Sequence, residues 1–357
     1  MKYRFVQLKR FNHLKLKLKY IKQIRKVIMY KLILIRLVGG EKVLEGEKEK
    51  IIIILLSLVL IGFLKPLIIQ EHVDDERDDV SIINNPQPTY EDEPPFVATF
   101  DNIDQITTIE EIKKYLFTID PTAYATIDDF PIEKLANMDL SLDFQTLEPR
   151  ILIMHTHSQE WFIDSKIGNP YDSIVGVGQY LAEILVNRYG VSVVHDVGMY
   201  DIKDGNMQRS ASYEEMEPAV KQILEKYPTI EVIIDLHRDG VPDDVHLVTE
   251  INGKPTAQIM FFNGITRYND NGTPVEMPEL VNPYIKENLS LTLQLFLTAN
   301  ENYPRLARRN YIKAYRYSLH LKPRSILVEV GANTNTVEEA KNAMYPLASI
   351  IMQVLRQ

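Results

Sequence analysis

Cysteine is absent from this 357-residue chain. Its absence excludes disulfides, thiolate nucleophiles and Cys-ligated zinc, and leaves the redox compartment open. Positive charge is scarce beyond residue 50, where 25 Lys and Arg face 45 Asp and Glu. Residues 1–50 reverse the balance with 15 basic and 4 acidic side chains, so the formal charge of −9 averages two unlike segments. No internal repeat is visible. The composition, 45% hydrophobic and 25% charged, excludes a mostly disordered or fibrous protein.

Long uncharged runs are also rare, and the outstanding one sets the expected geography. Ile51 to Leu64 carries no charge; Lys65 and Pro66 interrupt it, and Leu67 to Ile69 extend it to nineteen residues. A membrane span needs roughly 20 apolar residues, and a Lys near its end can snorkel to the interface. A buried core helix is the competing reading of so short a run. The run is apolar on every face and abuts an acidic stretch, which favours a transmembrane helix over 51–69. No small-residue cleavage site follows Leu64, which disfavours a removable signal peptide. The basic residues 1–50 are then a cytoplasmic tail, and the rest of this single-pass chain lies outside the membrane. Residues 70–99 hold nine acidic residues and several prolines and read as a solvated linker. Residues 100–149 read as a small helical subdomain.

From residue 150 the pattern changes. Short β-branched runs at 151–154, 191–197, 231–236 and 325–330 alternate with helical stretches near 174–188, 214–226, 280–302 and 337–355. This predicts an α/β fold, a mixed sheet with helices on both faces, over 150–357. Asn252-Gly253 between two strand-like runs predicts a β-hairpin.

Chemistry-bearing residues collect at the ends of the expected strands, where sites form in open α/β sheets. The first strand runs into His155, Thr156, His157, Ser158, Gln159 and Glu160. The third contains Asp235 and closes on His237, Arg238 and Asp239. The last contains Glu329. Two imidazoles and a carboxylate can hold zinc with a position left for water, and a further carboxylate can move protons. Each ending alone also suits an ordinary hydrogen-bonded or ion-paired residue, as for Asp235 in a salt bridge. His195 closes the second strand and competes as a ligand. Arg209 suits either a substrate carboxylate or plain surface. Tyr303, Tyr311, Tyr315 and Tyr317 suit either a glycan groove or packing.

The blocks HTHSQEWF, MQRSASYEEMEPAVKQILEKYP, IIDLHRDG and ILVEVGANTNTVEEAKNA resemble, in order, the motifs of the stage II sporulation protein P family. The resemblance covers roughly residues 148–357. It implies a membrane-anchored cell-wall hydrolase with a fold similar to the zinc N-acetylmuramoyl-L-alanine amidases, acting on septal peptidoglycan during engulfment. It implies zinc held by His155 (with His157 as the alternate), Glu160 and His237, and Glu329 as the catalytic carboxylate. Asp235, Arg238, Asp239 and Arg209 would orient ligands or meet substrate. Gln159 and Trp161 flank Glu160 where the family leads one to expect smaller or hydroxylated residues. Stage II sporulation proteins D and M are the implied partners, and nucleic acid is not one. Competing readings are a non-catalytic wall-binding domain, which zinc content would discriminate, and a zinc carboxypeptidase acting on stem peptides.

Overall fold

The computed structural model describes residues 97–356. The basic tail, the apolar run and nearly all of the acidic linker lie outside the described residues. Among the described residues, no helix is long and apolar enough to cross a membrane.

The strands are β1 (Phe117–Ile119), β2 (Ile151–Met154), β3 (Val193–His195), β4 (Ile202–Lys203), β5 (Asn206–Met207), β6 (Val232–Asp239) and β7 (Val248–Ile251). They continue as β8 (Lys254–Ala257), β9 (Ile259–Gly264), β10 (Arg267–Asp270), β11 (Thr273–Glu276), β12 (Asn310–Lys313) and β13 (Arg324–Ala332). The α-helices are α1 (Ile109–Tyr115), α2 (Ile132–Ala136), α3 (Ile174–Tyr189), α4 (Ser212–Lys226), α5 (Ile285–Asn302), α6 (Val337–Asn342) and α7 (Met344–Leu355).

Seven strands form one sheet in the order β1-β12-β9-β13-β6-β2-β3. β13, β6, β2 and β3 run parallel, whereas β9 is antiparallel to β13, and β12 and β1 follow β9. The expected mixed sheet is therefore present. The ends of β2, β6 and β13 meet at one edge.

The two faces are covered unequally. Alternate residues of a strand point to opposite sides. Ile151, Ile153, Ile234, Phe261 and Val328 face α3, α5 and α7. Leu152, Met154 and Ile233 face the other way and meet Met216 and Val220 of α4. Register aligns Asp235, Leu327, Phe262 and Tyr311 on that second side, across four strands. There α4 gives way to the segment after β12, which lays Tyr317 against Phe262.

α5 is buried along 288–299, polar residues included. Its polar groups are satisfied, as burial requires. The Gln294 amide donates to the carbonyls of Leu135 (3.0 Å) and Met138 (2.9 Å), and Ser290 Oγ donates to Leu135 (2.6 Å). These bonds bind α2 to the core, where Ile112, Leu116 and Leu135 pack with Leu289 and Leu293. Residues 100–149 thus contribute two short helices and also β1, so they share the body of the sheet instead of forming a helical subdomain of their own.

The predicted hairpin is β7–β8. Asn252 (φ 53°) and Gly253 (φ 74°) take the positive φ values that a two-residue type I′ turn requires. The single helix expected over 337–355 is two, divided at Ala343. A capping box between Thr336 and Glu339 opens the first.

Candidate metal and active site

The chain leaves the β conformation after Met154, and two buried aspartates shape the turn beyond it. Asp235 accepts from Thr156 N (2.9 Å) and Thr156 Oγ1 (2.7 Å). Asp201 accepts from Ser158 Oγ (2.7 Å) and Gln159 N (2.9 Å). The turn so pinned brings one donor atom each from His157, Glu160 and His237 within 4.8 Å of one another.

His155 lies outside this cluster. Its Nδ1 stands 2.8 Å from the Leu236 carbonyl, so that nitrogen carries the proton, and its Nε2 lies 2.9 Å from His195 Nε2. Gly178 of α3 makes room for the ring, since a Cβ there would run into it. Burial pushes the imidazoles of His155 and His195 down to about 3 and about 4, so both are neutral packing partners. The alternate, His157, occupies the place expected of His155. Side chains two apart share a side only while the strand continues, and here it stops one residue before His155.

His237 Nε2 donates to Asp235 Oδ1 (2.8 Å), which turns Nδ1 toward Glu160 Oε2 at 3.5 Å. Asp235 also accepts from Ser318 Oγ (2.8 Å). Burial opposes charge on all three groups, but mutual attraction wins. The Asp235 and Glu160 carboxylates hold the His237 imidazolium well above its usual range. The His237 charge, with hydrogen bonds from Thr156, brings Asp235 to about 2. His237 and His157 likewise keep Glu160 well below the usual carboxylate range.

Glu160 is buried, with 3% exposure. Its Oε2 accepts from Arg238 N (2.9 Å) and its Oε1 from the Arg209 guanidinium, which also stands 3.3 Å from His157 Nδ1. Arg238 turns its guanidine to the carbonyls of Trp161 (3.0 Å) and Asp239 (3.2 Å), which makes it a clamp on the turn. Asp239 pairs with Arg308 (2.9 Å).

Glu329 lies beside His237 in the register of β13 with β6, just before a shift in that register at Gly331 (φ 58°). Its Oε2 is buried and has no hydrogen-bond partner. Burial, reinforced by the charge of Asp239, pushes this carboxyl up to about 8. A carboxyl titrating near neutrality beside such donors is suited to proton transfer.

The donor set fits zinc. Two imidazoles and one carboxylate make an open three-ligand site, and buried His157 Nε2 has no hydrogen-bond partner. Asp235, hydrogen-bonded to His237 Nε2, stands where such sites would place the carboxylate that fixes a ligating imidazole. Asp235→Asn is accordingly expected to weaken zinc binding about 10- to 100-fold, read by chelator competition; unchanged affinity would make Asp235 purely structural. Asp201 and Ser318 were not legible as site residues. Only the fold brings them there, and Asp201 sits in a stretch with no recognisable ligand spacing.

Half-buried His157 and buried Glu160 and His237, gathered just beyond and at strand ends of a mixed sheet with an unpaired carboxylate beside them, define an α/β protein with a candidate metal site. The model of the stage II sporulation protein P family matches residues 71–352, and the chain belongs to that family. A curated relative, stage II sporulation protein P of Bacillus subtilis (strain 168), is 23% identical over 218 residues, covering 57% of this chain and 50% of the relative. The chain thus spans about half the length of that relative. Solved structures similar to it include N-acetylmuramoyl-L-alanine amidase AmiC2 of Nostoc punctiforme, at 16% identity and TM-score 0.36, covering 58% of this chain and 98% of that one. Another is the CwlD amidase of Clostridioides difficile in complex with the GerS lipoprotein, at 12% identity and TM-score 0.37, covering 57% and 98%.

Proposed function

We propose that this protein is a zinc-dependent peptidoglycan hydrolase that cleaves the amide between N-acetylmuramic acid and L-alanine, acting on septal wall during sporulation. The observation that carries the reading is the convergence of His157, Glu160 and His237 beside an unpartnered Glu329. Family membership supports the sporulation context. His157, Glu160 and His237 would hold zinc, which when bound lowers the pKa of water and polarises an amide carbonyl. Glu329 takes the proton of the attacking water at Oε2 and returns it to the leaving amine. Asp235 holds the Nε2–H of His237, so that Nδ1, facing Glu160, is the nitrogen that would give up its proton and ligate. Arg238 N and Asp201 hold Glu160 and its turn in place.

In this proposal the apolar run 51–69 anchors the chain and residues 70–357 work outside the membrane; protease treatment of intact protoplasts tests that orientation. Stage II sporulation proteins D and M are the proposed partners. The deciding experiment is mass spectrometry of products from the protein acting on isolated sacculi, with and without a chelator. Free L-alanine amino termini on released stem peptides are expected, and they should disappear with the chelator. Release of C-terminal amino acids instead would make the enzyme a carboxypeptidase, and no cleavage would leave a wall-binding domain.

A further inference from the structure

The second face of the sheet carries a row of rings that begins at the proposed metal cluster. His157 meets Tyr213 edge-on (5.8 Å between centroids), Tyr213 meets Tyr317 (5.5 Å), and Tyr317 meets Phe262 (5.3 Å). Phe262 in turn stacks on Tyr311 at 5.1 Å. Tyr317 and Phe262 are only partly buried. Tyr317 has φ 51°, a left-handed conformation disfavoured for a bulky residue and retained only where the surroundings impose it. They do so from both sides. Gly264 lets the Tyr315 carbonyl press against β9, where any Cβ would run into it, and Ser318 is tied to Asp235. The segment is pinned at either end of one strained tyrosine, beside the residues that hold His237. Such strain concentrates at functional positions.

Building on the hydrolase reading, we propose that Tyr317 and Phe262 form a saccharide platform that positions the glycan strand for cleavage. The backbone groups of β9, β13 and β12 pair with one another within the sheet, so this face has no strand edge to offer an extended peptide. It offers ring surface instead, whose negative π face suits the polarised C–H face of a pyranose. Polar groups for sugar hydroxyls stand at the far end. There Tyr311 Oη donates to Asp120 (2.9 Å) and Lys313 Nζ lies 3.3 Å from the same carboxylate.

The test measures binding of a β-1,4-linked N-acetylglucosamine tetramer, and separately of a sugar-free stem tetrapeptide, to the full chain. Tyr317→Asn removes the ring but tolerates the left-handed backbone, Tyr317→Phe keeps the ring, and Phe262→Leu keeps apolar bulk without a π face. The wild type and Tyr317→Phe should bind the tetramer within twofold of each other. Tyr317→Asn and Phe262→Leu should each bind at least tenfold more weakly, the second variant standing in if the first fails to fold. No tetramer binding by the wild type, or wild-type affinity in both ring-less variants, overturns the platform. Tyr317-dependent binding of the peptide alone overturns it too. Ring-dependent glycan binding without amide cleavage would fell the hydrolase reading and spare the platform; cleavage without ring-dependent binding would do the reverse.

Discussion

Glu329→Gln should lower turnover on labelled sacculi by at least ~10²-fold, the lower end of what general acid–base catalysis contributes, while the fold and bound zinc persist. Glutamine preserves shape and most hydrogen bonding but cannot accept a proton. A second readout separates this from a structural role. The Glu329 carboxyl titrates near 8 in the folded protein, against 4.5 as the ordinary value, because burial disfavours its charge. Between those values the folded state holds more protons than the unfolded one, so this group contributes stability that falls as pH rises. With both proteins stripped of zinc, whose charge would itself lower this pKa, removing the titration should therefore leave the variant with a higher melting temperature than wild type at pH 8, and a smaller difference or none near pH 4.5. A structural ion-pair carboxylate would show the opposite: lower melting temperature and near-normal turnover per folded molecule. Near-normal dye release from the sacculi would defeat the catalytic assignment.

His157→Ala and His237→Ala should each weaken zinc binding by more than the ~10²-fold that loss of an outer-shell partner costs, because each removes a donor of the cluster. His155→Ala should keep the metal and lose stability instead, since it empties a buried position between Leu236 and His195. Thermal unfolding with and without zinc checks this on one preparation. A ligand at a hundred times its Kd stabilises by about 2.7 kcal/mol, so wild type and His155→Ala should gain melting temperature on zinc addition while the other two variants gain little. Zinc loss in His155→Ala with retention in His157→Ala would move the site to the first histidine.

The strand–helix alternation made the core of the fold legible, because β2, β6 and β13 are apolar runs and α3 and α5 have clear limits in their flanking caps and prolines. β1 was not legible: three residues between α1 and Pro121 carry no periodic signal, and long-range pairing with β12 alone makes them a strand. At the site, Glu160, His237 and Glu329 could be named because each stands at or near a strand end in a short motif. Choosing between His155 and His157 could not follow from the sequence. Both fit the spacing, and the choice depends on where the strand stops, which Asp235 and Asp201 decide from 79 and 43 positions away. The platform was visible only as scattered tyrosines; Phe262, its central ring, lies in a hydrophobic strand like any other.

β1 also sets where the chain can be cut. Phe117 to Ile119 hydrogen-bonds the outer flank of β12, and α2 is bolted to α5 through Gln294. A fragment beginning near residue 150, where the motifs begin, would strip that flank and leave a row of unpaired backbone groups, the template on which sheets aggregate. A truncated chain that keeps this flank therefore begins before Ala98, which is buried and whose carbonyl accepts from Asn300 of α5.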